Sequence, residues 1–359
     1  MLYLGEEHLR AIGYSWRGLV DRIQQTVRIM DSGDYAQPLK PYLRYRDPRN
    51  RIIAMPAYIG GSVGTAGLKW IASFPGNYAV GLPRAHSVTV LNDADTGEPL
   101  AIVNSALVSA ARTAAVSGLM LREWLKQRLL DNDRDSAEEG LRIGIIGFGP
   151  IGQMHKAMCL SLFDEHIDYM MLYDIRGVRL DGSRGHSGAA GDVATAAQGQ
   201  GQADGSARPQ GECPRRRSVP IRVAGSWQEL YQACNVIITC TVSDKRYIHT
   251  PPAPGSLLLD VSLRDYGLEA IQGIRSVVVD DWTEVCRENT DIELLHREAG
   301  LNSEQATTLA DVVCRDAIAR FDSREPLLFC PMGMAAFDVA IAEWYLRKGE
   351  ELGVGVRLT

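Results

Sequence analysis

Long apolar runs are missing from this 359-residue chain. Stretches such as 236–240 and 257–261 are strand-sized, far short of the ~20 residues that a membrane span needs, so no membrane partner is expected. The amino terminus carries Glu6 and Glu7 and lacks an apolar segment followed by a small-residue cleavage site. That composition excludes a secretory signal from the reading and makes the cytoplasm the expected compartment. The seven cysteines are an odd number and form no C-x-x-C pair, which argues against a disulfide framework or a zinc site. No two histidines share a helix face with a carboxylate at metal-binding spacing, so no metal is expected. Positive charge is not in excess either. With 38 Lys and Arg against 44 Asp and Glu, a broad phosphate-binding surface is not indicated, and no nucleic-acid partner is expected. The basic run Arg215-Arg216-Arg217 sits among glycines and reads as a solvated loop.

What is present is enough apolar residue, 45% of the chain, for two cores of ordinary domain size. Helical spacing of Leu9, Ile12, Trp16, Leu19, Val20, Ile23, Val27 and Met30 predicts an amphipathic helix over 6–30. Short β-rich runs at 42–46, 51–58, 67–74 and 87–92 follow, separated by Asp-Pro, Gly-Gly and Pro-Gly breaks that mark turns. A hairpin signal at 92–97 leads into a returning strand over 99–104, then an Ala- and Leu-rich helix over 105–125 with Ser105 as its cap. From 141 the pattern changes to strand (142–146), helix (152–162) and strand (169–175), a βαβ unit. Further strands at 236–240, 257–261 and 276–279 extend the sheet. Helices at 312–320 and 334–348 end the chain, which is expected to return to the first domain near Pro331. The fold expected is α/β: a β-rich α+β domain for substrate and dimerisation (1–130 plus 320–359) and a Rossmann-type, doubly wound dinucleotide domain (131–319). Residues 177–218, rich in Gly, Ala, Ser, Gln and Arg, read as a disordered insertion, because they cannot bury enough apolar surface to offset ordering.

The βαβ unit gives a motif its meaning. Gly147-Phe148-Gly149-Pro150-Ile151-Gly152 lies between strand and helix, where the first glycine permits a tight turn, the second a close approach of backbone to a pyrophosphate, and the third close helix packing. Helix-start amides then meet phosphate charge. Asp174, at the end of the next strand and about 20 residues on, suits the ribose hydroxyls of NAD. Arg176, two residues later, leaves NADP open.

Three further stretches carry a resemblance. Gly67-Leu68-Lys69-Trp70 with Phe74-Pro75-Gly76-Asn77, the helix segment Ala110-Ala111-Arg112-Thr113-Ala114-Ala115, and Ser262-Leu263-Arg264-Asp265 resemble, in order, the lysine, arginine and aspartate segments of the ornithine cyclodeaminase and mu-crystallin family. The likeness runs from about residue 40 to residue 340, the insertion excepted. Met55-Pro56-Ala57-Tyr58-Ile59-Gly60-Gly61, Ser262-Leu263-Arg264-Asp265, Val279-Asp280-Asp281-Trp282, Cys286-Arg287-Glu288-Asn289-Thr290 and Pro331-Met332-Gly333-Met334-Ala335 are most similar to the branch acting in 2,3-diaminopropionate biosynthesis. That resemblance implies NAD-dependent oxidative cleavage of N-(2-amino-2-carboxyethyl)-L-glutamate to 2,3-diaminopropionate and 2-oxoglutarate, for a siderophore or peptide product, by a homodimer. Ile53 stands where cyclodeaminases of the family place an acidic residue for the ornithine amine, which demotes ornithine cyclisation. The alternatives are a cyclodeaminase, ketimine reductase or alanine dehydrogenase on the same scaffold, or a non-catalytic mu-crystallin-like binder.

A substrate with three carboxylates needs several cations, and the planar fork of arginine pairs well with carboxylate. Arg44 and Arg112 are the candidates, with Arg264 beside Asp265 as a further substrate ligand or an ion-pair partner. Lys69, in an apolar strand between Leu68 and Trp70, reads as buried, and so as paired with an anion or depressed in pKa; its expected role is to bind the carboxylate beside the reacting carbon and polarise water. Asp265, just beyond a sheet strand, is the expected general base and acid. Thr113 and Gly333 are weaker candidates for cofactor contact.

Overall fold

The computed structural model describes residues 1–132, 140–180 and 218–359. All but the ends of the low-complexity insertion expected over 177–218 lie outside the described residues. Two sheets organise what is described. The first contains β1 (Leu2–Gly5), β2 (Tyr35–Ala36), β3 (Tyr42–Leu43), β4 (Arg51–Ile59), β5 (Thr65–Ser73), β6 (Ala85–Asp93) and β7 (Pro99–Asn104). Its order is the C-terminal strand Val356–Arg357, then β1, β7, β6, β5, β4 and β2, with β3 also on β4. Strands β4 to β7 are antiparallel, so successive side chains alternate between faces. Met55, Ala57 and Ile59, Lys69, Ser87, Thr89 and Leu91, and Ala101 and Val103 are buried on the inner face. The helix Ala335–Leu352 covers them, and it is buried residue by residue from Ala335 to Glu343. Gly67 allows that approach, because a Cβ there would stand 2.7 Å from the Val90 carbonyl oxygen and 3.2 Å from Val339 Cγ2.

The helix expected over 6–30 is two helices, α1 (Glu6–Ile12) and α2 (Trp16–Asp31), broken where Gly13 takes φ +81°. The apolar spacing runs through the break, since the four-residue step from Ile12 to Trp16 keeps one face, and periodicity alone therefore did not reveal it. Helix α3 (Leu107–Asn132) starts beyond Ser105, whose Oγ accepts the Leu107 amide at 3.1 Å. Ala110, Ala111, Ala114, Ala115 and Leu119 of α3 are buried, as expected of a helix packed from several sides. It joins the two sheets.

The second sheet comprises β8 (Leu141–Ile146), β9 (Ile167–Tyr173), β10 (Ile221–Val223), β11 (Val236–Thr239), β12 (Leu257–Asp260), β13 (Ser276–Val279), β14 (Thr307–Thr308) and β15 (Leu327–Cys330). All its pairings are parallel, in the order β10-β9-β8-β11-β12-β15-β13-β14. This is a doubly wound α/β sheet with α4 (Pro150–Leu162) following β8. The chain runs outward from β8 through β9 and β10 and then resumes on the other side at β11, so the switch point, where such folds bind ligands, lies between β8 and β11. The expected boundary at 320 falls too early: β15 threads between β12 and β13, and the chain returns to the first sheet only after Cys330. A four-residue apolar run without alternation gave no distinctive strand signal. Among the described residues no helix is long and apolar enough to cross a membrane.

Candidate active site

The glycine turn leaves β8 at the switch point. Gly147 has φ +92°, and a Cβ on it would stand 2.6 Å from the carbonyl oxygen of Cys240, just beyond β11. Gly152 meets the Gly147 carbonyl oxygen at 2.2 Å in the same construction, whereas Gly149 has no heavy atom within 4 Å. The first and third glycines are thus required by the protein's own packing, and the second faces open space. Gly149 caps α4 without a side-chain hydrogen bond and Pro150 opens the helix, with Ile151 next, so amides at the helix start are free for an anion. Asp174 Oδ2 accepts the Phe148 amide at 2.9 Å, and Oδ1 accepts the Arg176 amide at 2.9 Å. Burial raises the Asp174 pKa, but the hydrogen bonds from Arg176 and Phe148 outweigh it and hold the carboxyl below its ordinary value. The Asp174 side chain therefore stays ionised beside the turn, while Arg176, 63% exposed, pairs with it at 3.3 Å. The open cradle at Gly149 and the ionised acceptor fit a dinucleotide.

Asp265 lies beyond β12 on the same carboxyl edge. It is fully buried; Thr241 Oγ1 donates to Oδ1 at 2.5 Å and Ser262 Oγ donates to Oδ2. Its backbone is fixed as well: Asp291 Oδ2 accepts the amides of Asp265 and Tyr266 at 3.0 Å each, and Arg246 Nε pairs with Asp291 Oδ1 at 2.7 Å. Leu263 within this loop takes φ +69°, a conformation that costs a non-glycine residue about 1–3 kcal/mol and tends to cluster at functional loops. Its amide is held by Asp260 Oδ1 at 2.9 Å.

Lys69 of β5 and Arg112 of α3 form a buried cation cluster on the helix Ala335–Leu352. Lys69 Nζ donates to Asp338 Oδ2 at 2.6 Å and Arg112 Nε to Oδ1 at 3.2 Å. One carboxylate thus serves two cations. Burial lowers the Lys69 pKa to about 8, Asp338 opposes the shift, and Arg112 adds to it. Gly333 stands against Arg112, where a Cβ would lie 2.2 Å from Nη1, and its φ of +87° favours glycine independently. Lys40 Nζ donates to the Gly333 carbonyl at 2.8 Å, and the Met332 and Gly333 amides are held by Asp280 beyond β13. These bonds tie the cluster to the second sheet.

Of the residues singled out in the sequence, Lys69, Arg112 and Gly333 come together, and the glycine turn and Asp265 share the carboxyl edge of the second sheet. Arg44 does not join Lys69. It is 42% exposed and pairs with Glu288 at 2.5 Å. Arg264 donates from Nε and Nη2 to the Glu288 carbonyl at 3.1 and 2.8 Å and makes no ion pair with Asp265. Thr113 spends its hydroxyl proton on the Ser109 carbonyl at 2.7 Å within α3. Missed in the sequence were Asp338, Lys40, Thr241 and Asp291. Asp338 had a readable signal, as the sole acid in the otherwise apolar run Ala335–Ala342.

The ornithine cyclodeaminase/mu-crystallin family model matches residues 13–180. A Staphylococcus aureus protein, N-((2S)-2-amino-2-carboxyethyl)-L-glutamate dehydrogenase, is 31% identical over 367 aligned residues covering 100% of this chain and 98% of that one. Among solved structures, the Thermococcus litoralis Delta(1)-pyrroline-2-carboxylate reductase in complex with NADH and L-proline aligns over the whole of both chains with a TM-score of 0.77 at 20% identity. An archaeal alanine dehydrogenase dimer with bound NAD aligns over 100% of this chain and 99% of that one, with a TM-score of 0.71 at 20% identity.

Proposed function

The chain belongs to the ornithine cyclodeaminase/mu-crystallin family, and on that premise we propose that it is an NAD-dependent dehydrogenase that cleaves N-(2-amino-2-carboxyethyl)-L-glutamate. One substrate, one NAD and one water give 2,3-diaminopropionate, 2-oxoglutarate, NADH and a proton. The observation that carries the reading is the buried pair of cations, Lys69 and Arg112, sharing the single carboxylate of Asp338. They have spare donors for an amino-acid carboxylate, on a crevice that also holds a dinucleotide turn and Asp265. Full-length similarity to the staphylococcal enzyme supports the choice of reaction.

NAD, when bound at the glycine turn, supplies the hydride acceptor. The residues of the chain do the rest. Lys69 and Arg112 hold the carboxylate beside the reacting carbon, which fixes that carbon's orientation. The secondary amine must lose a proton before its C–N bond is oxidised to an imine, and the Asp265 carboxylate receives that proton. Asp265 releases that proton to solvent and takes one from water as the water adds to the imine carbon, while Lys69 keeps its hold on the neighbouring carboxylate. Asp265 returns its proton to the departing nitrogen, and the carbinolamine breaks to ketone and amine. Thr241 and Ser262 hold the Asp265 carboxylate in place through these transfers.

Ornithine cyclisation is the reading this face opposes. Beyond Lys69 the inner surface offers Ile53 opposite Ile71, apolar side chains where a terminal ammonium needs a carboxylate. Assembly follows from the other side of the same sheet. Trp70 lies opposite Ala54 and Val88, and Leu68 opposite Val90; none of these is buried, and Trp70 is 43% exposed. We propose that a second copy of the chain covers this apolar face.

The test is a spectrophotometric assay of purified protein with NAD and, in separate cuvettes, N-(2-amino-2-carboxyethyl)-L-glutamate, ornithine or alanine. NADH formation with the first alone is expected. Proline and ammonia from ornithine, or NADH from alanine alone, would overturn the assignment.

A further inference from the structure

Three polar atoms on or just before β6 are shut off from solvent and have no hydrogen-bond partner among the described residues: Thr89 Oγ1, Ser87 Oγ and Arg84 Nε. Native proteins rarely leave several such groups together unless a ligand or water completes them. Their positions form a series. Thr89 lies opposite Lys69, and Ser87 opposite Ile71. Ala85 lies opposite Ser73, which in turn faces Arg51; Arg84 precedes the strand, and its charge acts on that of Arg51. Directly opposed residues share a face of the sheet, so Lys69, Thr89, Ile71, Ser87, Ser73 and Arg51 line one inner surface. From Lys69 to Ser73 the strand advances roughly 13 Å.

The far end of that surface is crowded with guanidinium groups. Tyr42, opposite Ile53, has the guanidinium carbons of Arg44, Arg51 and Arg287 at 5.0, 5.5 and 5.2 Å from its ring centre. Glu288 pairs with Arg44 at 2.5 Å and only loosely with Arg51 at 3.9 Å, while Glu284 is shared between Arg287 and Lys40. Arg264 reaches only the Glu288 carbonyl. Glu288 and Asn289 both take positive φ, +62° and +58°, an uncommon pair of conformations that brings the Glu288 carboxylate onto the cations. Burial lowers the pKa of Arg84 and of Arg264, and the charge of Arg51 adds to both shifts. The five arginines repel one another, and among the described residues their ion pairs reach two carboxylates, Glu284 and Glu288.

We propose that Arg84 and Arg51, with the Ser87 hydroxyl, form a second anion subsite that takes the distal carboxylate of the substrate, while Lys69 and Arg112 hold the carboxylate at the reacting carbon. The inference rests on the reading of the crevice as an amino-acid site and adds to it a length and a charge: the preferred ligand is a dicarboxylate whose two anionic ends are separated by a short carbon chain. Arginine suits the distal end because its fork pairs with both carboxylate oxygens. Thr89 Oγ1, level with Lys69 in the register, lies at the end that holds the carboxylate beside the reacting carbon.

The full chain loaded with NADH is titrated calorimetrically with 2-oxoglutarate and with 2-oxopentanoate, which has the same length and lacks the distal carboxylate. The unaltered protein is expected to prefer 2-oxoglutarate by at least about tenfold. Arg84→Met is expected to weaken 2-oxoglutarate binding by about ten- to a hundredfold, with 2-oxopentanoate and NADH affinities within about twofold of the parent. If Arg84→Met does not fold, Ser87→Ala and Arg51→Met are judged by the same criterion. Equal affinity for the two acids in the unaltered protein, or undiminished discrimination in the folded variants, would overturn the subsite. A protein that discriminates through Arg84 but forms no NADH from N-(2-amino-2-carboxyethyl)-L-glutamate keeps the subsite and loses the reaction assigned above. The converse result keeps the reaction and loses the subsite.

Discussion

Lys69 has to carry charge where the surroundings oppose it. Its burial lowers the pKa to about 8 from 10.5, against the pull of Asp338. Only the ammonium form attracts a carboxylate, so kcat/KM is expected to fall as pH rises through about 8, measured as a pH profile of initial rates. For stability the sign is separate: the cost of burying the ammonium is fully present below about 8 and is relieved between there and 10.5, because over that window the unfolded chain binds the extra proton. Asp338→Asn removes the anion that raises the Lys69 pKa. The alkaline limb should move to lower pH in this variant, and thermal or denaturant unfolding should show a loss of about 3–5 kcal/mol, the usual cost of breaking a buried pair. Asp265→Asn is expected to retain NADH binding, read by fluorescence, and to lose about 10²–10⁴-fold in kcat; near-parental turnover would remove it from the mechanism. Residue chemistry was unevenly legible. A lysine between Leu68 and Trp70 announces its own burial, because an apolar strand must do something with the charge. Arg44 does not, since the cluster Tyr42 to Arg46 holds two arginines and two tyrosines and nothing local tells which side chain turns inward. Arg51 and Arg84 are silent in the sequence because their significance is a matter of strand register.

Among elements, the turn from β8 into α4 separates two kinds of glycine requirement. A methyl group at Gly152 would collide with the Gly147 carbonyl oxygen, whereas at Gly149 it would meet no protein atom. Gly149→Ala should therefore fold, with a melting temperature within a few degrees of the parent, about the shift that ~1 kcal/mol produces, and lose at least about tenfold in NADH affinity. Gly152→Ala should lower the melting temperature clearly. If both variants bound NADH as the parent does, the turn would not be the dinucleotide site. This unit was readable because strand, turn and helix signals agree there. Most other expected elements kept their type with shifted ends, as when the expected strand at 169–175 became Ile167–Tyr173, but the helix expected over 312–320 is Leu309–Arg315, broken where Asp316 takes φ +52° and followed by a 3-10 turn over Ala317–Arg320. The failures have physical causes: a glycine break that preserved helical phase, and the strand β15, too short for its composition to betray it.

At the scale of the whole molecule, the first sheet works on both faces. Its inner face holds the buried charge of Lys69, and its outer face presents Trp70 among aliphatic neighbours. A charge at the centre of that outer face should oppose self-association, so Trp70→Glu is expected to move the protein from dimer to monomer in analytical ultracentrifugation. A parent that sediments as a monomer would refute the proposed assembly. Resemblance alone implies a dimer, and the surface proposed for it is visible only once the pairing of β4, β5 and β6 is known.

The closing strand β15 and the helix after it impose an order on synthesis. Lys69 leaves the ribosome 269 residues before the carboxylate that neutralises it, and β12 and β13 must leave a gap for a strand not yet made. Neither half can be completed while the last part of the chain is still inside the ribosome. A nascent chain halted at residue 326 should thus be protease-sensitive in both halves. The two halves would then acquire their stability together, once β15 and the helix after it have emerged, with no N-terminal domain waiting folded for its partner.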